Sequence, residues 1–145
     1  MIVCIGPTGS GKTSLLESVS DLKRPPDKET LPTTGVNIFN LEFKKPGNKT
    51  KTVSIRELGG ILCPLWSSYL EKEIYIIYVV DSANLGQVAQ VGCTLGNIIG
   101  ILEKNSAQLQ RQAKLCVVFS KVDRGAEQVD VIIHNTSLRL CLSIC

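Results

Sequence analysis

The sequence predicts an α/β domain, a mostly parallel sheet with helices on both faces. Three observations predict it. A short apolar run, "IVCI" (2–5), passes through a glycine-rich loop into a helical pattern. Apolar strand-like runs then alternate with helical segments, the order from which a sheet covered on both faces is built. Two of those runs, "IYIIYVVD" (74–81) and the start of "AKLCVVFSKVD" (113–123), are almost continuously apolar, as strands buried on both faces are.

Taken in order, the elements follow from local chemistry. "KTSLLESV" (12–19) has helical spacing, with Leu15, Leu16 and Val19 on one side. "DLKRPPDKETLPTTG" (21–35) is polar and carries three prolines, so it reads as a loop. "VNIFNLEF" (36–43) and "KTVSIREL" (51–58) both alternate. Pro46-Gly47-Asn48 between them is turn chemistry, which predicts an antiparallel hairpin. "CPLWSSYL" (63–70) reads as a short helix opened by Pro64. The segment 85–104 reads as a helix weakened by glycines. Beyond 124 no final strand and no final helix are recognisable. The expected organisation is one domain over 1–124, with 125–145 a divergent tail of the same domain.

The loop at 6–14, "GPTGSGKTS", carries the strongest functional signal. Gly6, Gly11, Lys12 and Thr13 satisfy G-x-x-x-x-G-K-[ST], a phosphate-binding loop. Glycines let the backbone turn and aim N–H groups at phosphate oxygens, and the following helix points its positive end at the same place. The expected nucleotide contacts are Gly6, Pro7, Thr8, Gly9, Ser10, Gly11, Lys12, Thr13 and Ser14. Lys12 reaches the β- and γ-phosphates, and the Thr13 hydroxyl ligates Mg²⁺. Strand, glycine loop and helix in that order are the context the motif requires. The fold is thus expected to be of the P-loop nucleotide-binding type.

Composition bounds the rest. At 145 residues the chain fits one domain, and 43% hydrophobic with 20% charged residues is ordinary for a globular protein. A formal charge of +3 argues no nucleic-acid partner; the basic run "KKPGNKTK" (44–51) reads as a solvated hairpin tip. Cysteines at 4, 63, 93, 116, 141 and 145 form no C-x-x-C pair, so reduced thiols and a cytoplasmic location are expected. His134 is the single histidine, which argues against zinc and histidine-triad chemistry. No secretory signal is expected, nor a transmembrane segment, the longest apolar run being "IYIIYVV" (74–80). Ile2 excludes N-myristoylation of the chain as it stands.

Four segments in order, "GPTGSGKT", "LPTTGVN" (31–37), "IRELGG" (55–60) and "FSKVD" (119–123), resemble the small GTPases. "PTTGVN", the double glycine and "PLWSSY" resemble the ADP-ribosylation factor-like branch. The resemblance covers roughly residues 2–124 and implies Mg²⁺ and GTP or GDP as ligands. It implies that Thr33 ligates Mg²⁺, with Thr34 as the fallback, and that Gly60 offers its N–H to the γ-phosphate. It implies that Lys121 packs along the base and that Asp123 accepts from guanine N1 and N2, with Ser120 beside them. Effector and regulatory proteins are expected at the loops 31–37 and 57–69.

The departures from that pattern matter equally. Glu57 stands where the family has Asp, so the metal shell must rearrange. Ile61 stands where a Gln orients the attacking water, and Ile cannot hydrogen-bond water. Ser120 replaces an Asn and is expected to reach less far. No residue is therefore assigned as catalytic, and hydrolysis is expected to be weak or absent. Two other readings stay open: an interaction module whose nucleotide binding has decayed, and a P-loop ATPase or kinase using Asp81.

Overall fold

The computed structural model describes residues 1–20, 31–46, 49–122 and 139–144. Its six-stranded sheet has the order β2-β3-β1-β4-β5-β6. The strands are β1 (Ile2–Ile5), β2 (Val36–Lys45), β3 (Lys49–Leu58), β4 (Tyr75–Asp81), β5 (Lys114–Ser120) and β6 (Arg139–Ile144). β2 runs antiparallel to β3; β1, β3, β4, β5 and β6 pair in parallel. The α/β P-loop fold read from the sequence is the fold observed.

Each face is built by residues two apart along the strands. On one face Val3, Ile5, Ile76, Tyr78, Val80, Leu115 and Val117 form a cluster with Trp66, Leu70, Leu95, Ile98 and Leu102. Those last five lie on α2 (Trp66–Leu70) and α3 (Val88–Leu109). On the other face Cys4, Val79, Val118 and Ile55 meet Leu16 of α1 (Lys12–Val19). Fully burying one such aliphatic side chain stabilises the fold by roughly 1.5–3 kcal/mol. Helices therefore lie on both faces, and the parallel strands β1, β3, β4 and β5 end toward the loops that carry the motifs.

Three elements depart from expectation. The helix expected at 63–70 is a 3₁₀ turn over Gly60–Leu65, with Pro64 inside it, leading into α2. The helix expected at 85–104 begins with a 3₁₀ turn at Leu85–Gln87 and runs on to Leu109. The expected lack of a final strand is corrected: β6 pairs with β5 from Lys114↔Arg139 to Phe119↔Ile144. An edge strand needs one neighbour only, so six residues, "RLCLSI", in which Leu140, Leu142 and Ile144 alternate with Arg139, Cys141 and Ser143, suffice. Among the described residues no helix is long and apolar enough to cross a membrane.

Candidate functional site

The loop between β1 and α1 turns on glycines. Gly9 and Gly11 hold φ of +78° and +84°, the left-handed region that other residues avoid. The resulting cradle opens on a cavity of about 330 Å³. Thr8, Gly9, Gly11, Lys12, Thr13 and Ser14 line it from the loop, and Leu31, Pro32, Thr33, Glu57, Gly60 and Lys121 from the facing elements. Three separate stretches of sequence thus converge on the P-loop.

Lys12 is only 5% exposed. Its ammonium donates to the carbonyls of Gly6 at 2.9 Å and Pro7 at 2.8 Å. Burial pushes its pKa down, opposed by the nearby Cys4 and Glu57. The cation is therefore held over the loop by the loop's own backbone.

Beside it sits a chain of oxygens. The Thr13 hydroxyl donates to Glu57 Oε1 at 2.5 Å, and Thr33 Oγ1 lies 3.1 Å from Thr13 Oγ1. Asn37 Nδ2 donates to the other carboxylate oxygen, Oε2, at 3.0 Å. Glu57 is fully buried. It reaches the site because β3 runs beside β1, with Glu57 opposite Cys4, and beside β2, with Glu57 opposite Asn37. Two hydroxyls and a carboxylate are hard oxygen donors, the set that suits Mg²⁺ completed by phosphate oxygens. Among the described residues no three His, Cys, Asp or Glu side chains gather into an all-protein cage. The donor set therefore fits Mg²⁺, with Thr13 and Thr33 as the hydroxyls that would hold it. Thr34, the fallback, is exposed and does not line the cavity.

The double glycine closes the opposite wall. A Cβ on Gly60 would fall 2.2 Å from Thr8 N, and one on Gly59 2.1 Å from the Thr33 carbonyl oxygen. Nothing larger than glycine fits between the P-loop and the 31–35 segment. Gly59 N donates to Gly35 O at 3.0 Å, and Trp66 Nε1 reaches Gly59 O at 3.4 Å. Trp66 is itself set edge-on to Tyr78, with centroids 6.4 Å apart. Ile61 points away, with two thirds of its surface exposed, and lines no part of the cavity.

Ser120 joins the end of β5 to the P-loop. Its hydroxyl lies between Ser10 O at 2.7 Å and Val80 O at 3.1 Å. Lys121 adopts φ +58° and pairs with Asp81 Oδ2 at 2.6 Å, while lining the cavity. Asp81 also accepts from Ala83 N at 3.0 Å. The carboxylate beside Thr13 is accordingly Glu57, not Asp81, which is paired with Lys121. Asp123 lies outside the described residues. Asn37 was not singled out from the sequence as a carboxylate partner, although counting outward from Gly47 pairs it with Glu57.

The sequence model of the ADP-ribosylation factor family matches residues 1–139. Human ADP-ribosylation factor-like protein 16 is 32% identical over 132 residues, 85% of this chain and 60% of that protein. Mouse ADP-ribosylation factor-like protein 15 is 38% identical over 85 residues, 57% of this chain and 38% of its own length. Mouse ADP-ribosylation factor-like protein 4D is 32% identical over 99 residues, covering 67% of this chain and 48% of its own length. The chain thus spans less than two thirds of each of these relatives. With the fold, the P-loop and the converging 31–37 and 57–60 segments in place, the chain belongs to the ADP-ribosylation factor family.

Proposed function

We propose that this protein is a GTP-binding molecular switch that takes Mg-GTP, hydrolyses it weakly or not at all, and acts through effector proteins. The observation that carries the reading is the cavity in which Lys12, Thr13, Thr33, Glu57 and Gly60 converge. In it the backbone N–H groups of Gly6–Ser14 cradle the phosphates, with Lys12 as the positioned cation. A bound Mg²⁺ would supply charge neutralisation for the phosphates. Thr13 and Thr33 hold it, so the 31–37 loop is ordered when the γ-phosphate is present. Gly60 N–H bonds that same phosphate. Lys121 lies along the guanine, Ser120 fixes the loop that carries it, and Asp123 reads N1 and N2. Leu31 (87% exposed), Ile61 (66%) and Leu65 (51%) leave apolar surface on the loops 31–37 and 57–69 for effector and regulatory proteins.

The unit that does this is residues 1–124, with 125–145 a divergent tail of the same domain. Within the family we place the chain near ADP-ribosylation factor-like protein 16, on the "RELGG" segment (56–60). A cytoplasmic location is supported by the free thiols of Cys4, Cys63 and Cys93.

The test is the nucleotide that co-purifies with the protein, identified by mass and retention time, followed by GTP and ATP affinities. Guanine nucleotide and a clear preference for GTP are expected, and Asp123→Ala should abolish the preference. Equal affinity of the unaltered protein for ATP would overturn the assignment. No binding of either nucleotide would leave a pure interaction module.

A further inference from the structure

Glu57 occupies a position that an aspartate would fill with one methylene less. We propose that Glu57 ligates the Mg²⁺ ion directly through Oε1, as a protein oxygen in the inner shell beside Thr13 and Thr33, rather than through an intervening water. The inference rests on the reading of this cavity as a Mg-nucleotide site.

Three observations carry it. The first is spacing. Mg²⁺ binds oxygens at about 2.0–2.1 Å in octahedral geometry, so neighbouring ligands stand about 2.9 Å apart. Thr13 Oγ1 lies 2.5 Å from Glu57 Oε1 and 3.1 Å from Thr33 Oγ1, which brackets that edge on both sides. The added methylene carries Oε1 forward into the space a shorter carboxylate leaves for water.

The second is orientation. Asn37 Nδ2 holds Oε2 at 3.0 Å, so the carboxylate is fixed with Oε1 alone turned to the hydroxyls. A single forward oxygen is a one-toothed ligand, and the small octahedral ion accepts one more readily than a chelating carboxylate.

The third is charge. Glu57 is fully buried, and among the described residues the donors that meet its oxygens are a hydroxyl and an amide, both neutral. Lys12, the adjacent cation, spends its ammonium on the carbonyls of Gly6 and Pro7. A buried carboxylate without a bonded cation is costly, and an ion at Oε1 supplies that partner. On ligation the Thr13 hydroxyl turns a lone pair to the ion and its proton swings off Oε1, so the hydrogen bond of the metal-free site becomes an edge of the metal shell.

The experiment replaces Mg²⁺ with Mn²⁺ and loads a non-hydrolysable GTP analogue. The protein is made with glutamate labelled with ¹³C at the side-chain carboxyl, and pulsed electron paramagnetic resonance reads the couplings to bound Mn²⁺. A strong short-range ¹³C coupling is expected in the unaltered protein. In Glu57→Asp the coupling should vanish, and one additional ¹⁷O-labelled water should enter the metal shell. Bound Mn²⁺ with no short-range ¹³C coupling, or with the same water count in both proteins, overturns the direct ligand while leaving the switch reading intact. Absence of any bound Mn-nucleotide in the unaltered protein overturns both. If Glu57→Asp does not fold, the ¹³C coupling of the unaltered protein decides alone.

Discussion

Single residues set what the site can and cannot do. Lys12 is the one loop cation positioned for phosphate, and Lys12→Ala should abolish measurable nucleotide binding by titration calorimetry. Retained affinity would mean that residues 6–13 are merely a turn. Gly60 has no room for a methyl group, since its Cβ would fall 2.2 Å from Thr8 N. Gly60→Ala must push the 60–65 turn off the P-loop, and nucleotide affinity should fall at least tenfold, about 1.4 kcal/mol. Gly35→Ala is the control: a Cβ there meets nothing within 4 Å, and affinity should hold. Ile61 explains the expected slow turnover, because an exposed hydrocarbon side chain cannot hold an in-line water. Even small GTPases that retain their glutamine hydrolyse GTP alone at only roughly 10⁻⁴ per second. Single-turnover hydrolysis of pre-bound GTP should stay at or below that rate, and a rate near one per second would show that another group positions the water.

At the scale of elements, α3 carries both a weakness and an anchor. Leu95, Ile98, Leu102 and Asn105 form its buried stripe, at the three- and four-residue spacing of one helix face. Asn105 Nδ2 donates to Leu70 O at 2.8 Å and Glu73 O at 2.7 Å, closing the end of α2. Asn105→Ala removes both of these hydrogen bonds, Leu70 O keeping only the one from Glu73 N, and should cost roughly 1–3 kcal/mol in urea unfolding. Gly96 and Gly100 lie on the exposed side, where an added Cβ meets nothing within 4 Å. Changing both to Ala should stabilise the protein by about 1–2 kcal/mol, and a loss of stability would reveal a role for the bare backbone. What was legible in the sequence tracks the range of the interactions. The P-loop, the hairpin and the buried strands β4 and β5 follow from neighbours in sequence. The hairpin pairs Lys45 with Lys49, and the same register sets Asn37 against Glu57. The tie from Ser120 to Ser10, 110 residues apart, depends on strand order and was not legible. β6 was missed although Leu140, Leu142 and Ile144 alternate with Arg139, Cys141 and Ser143, because its partner β5 lies about 25 residues back and no local turn ties the two together.

The whole molecule is one sheet with a core on each face, and each core buries a titratable group in its neutral form. Cys4 sits with Leu16, Val79 and Val118 on one face; Tyr78 sits with Trp66 and Leu102 on the other. Burial pushes the Cys4 thiol from 9.0 up to about 12, reinforced by the nearby Glu57. Burial likewise pushes the Tyr78 hydroxyl from 10.0 up to about 12. In the unfolded chain both groups lose their protons at their ordinary values, while the folded protein still holds them. The folded state then binds more protons, and stability falls as pH rises. The contribution is intact below pH 9.0 and is lost progressively toward about 12. Each such proton removes about 1.4 kcal/mol per pH unit across its window. Lys12 works in the opposite sense: its lowered pKa means the unfolded chain binds the extra proton, so its term raises stability as pH climbs through the window below 10.5. Two groups oppose one, and the net slope is downward once both Cys4 and Tyr78 titrate. Thermal melts of the reduced protein from pH 7 to 11 should therefore show a midpoint that falls steeply at the alkaline end. Cys4→Ala should melt lower at neutral pH, because it leaves a gap under α1, yet lose less on going to alkaline pH. Its decline should wait for Tyr78, whose unfolded value is 10.0. If the two proteins lose stability in parallel between pH 9 and 10, Cys4 is not held neutral in the core, and the face under α1 is open to solvent rather than closed by Leu16.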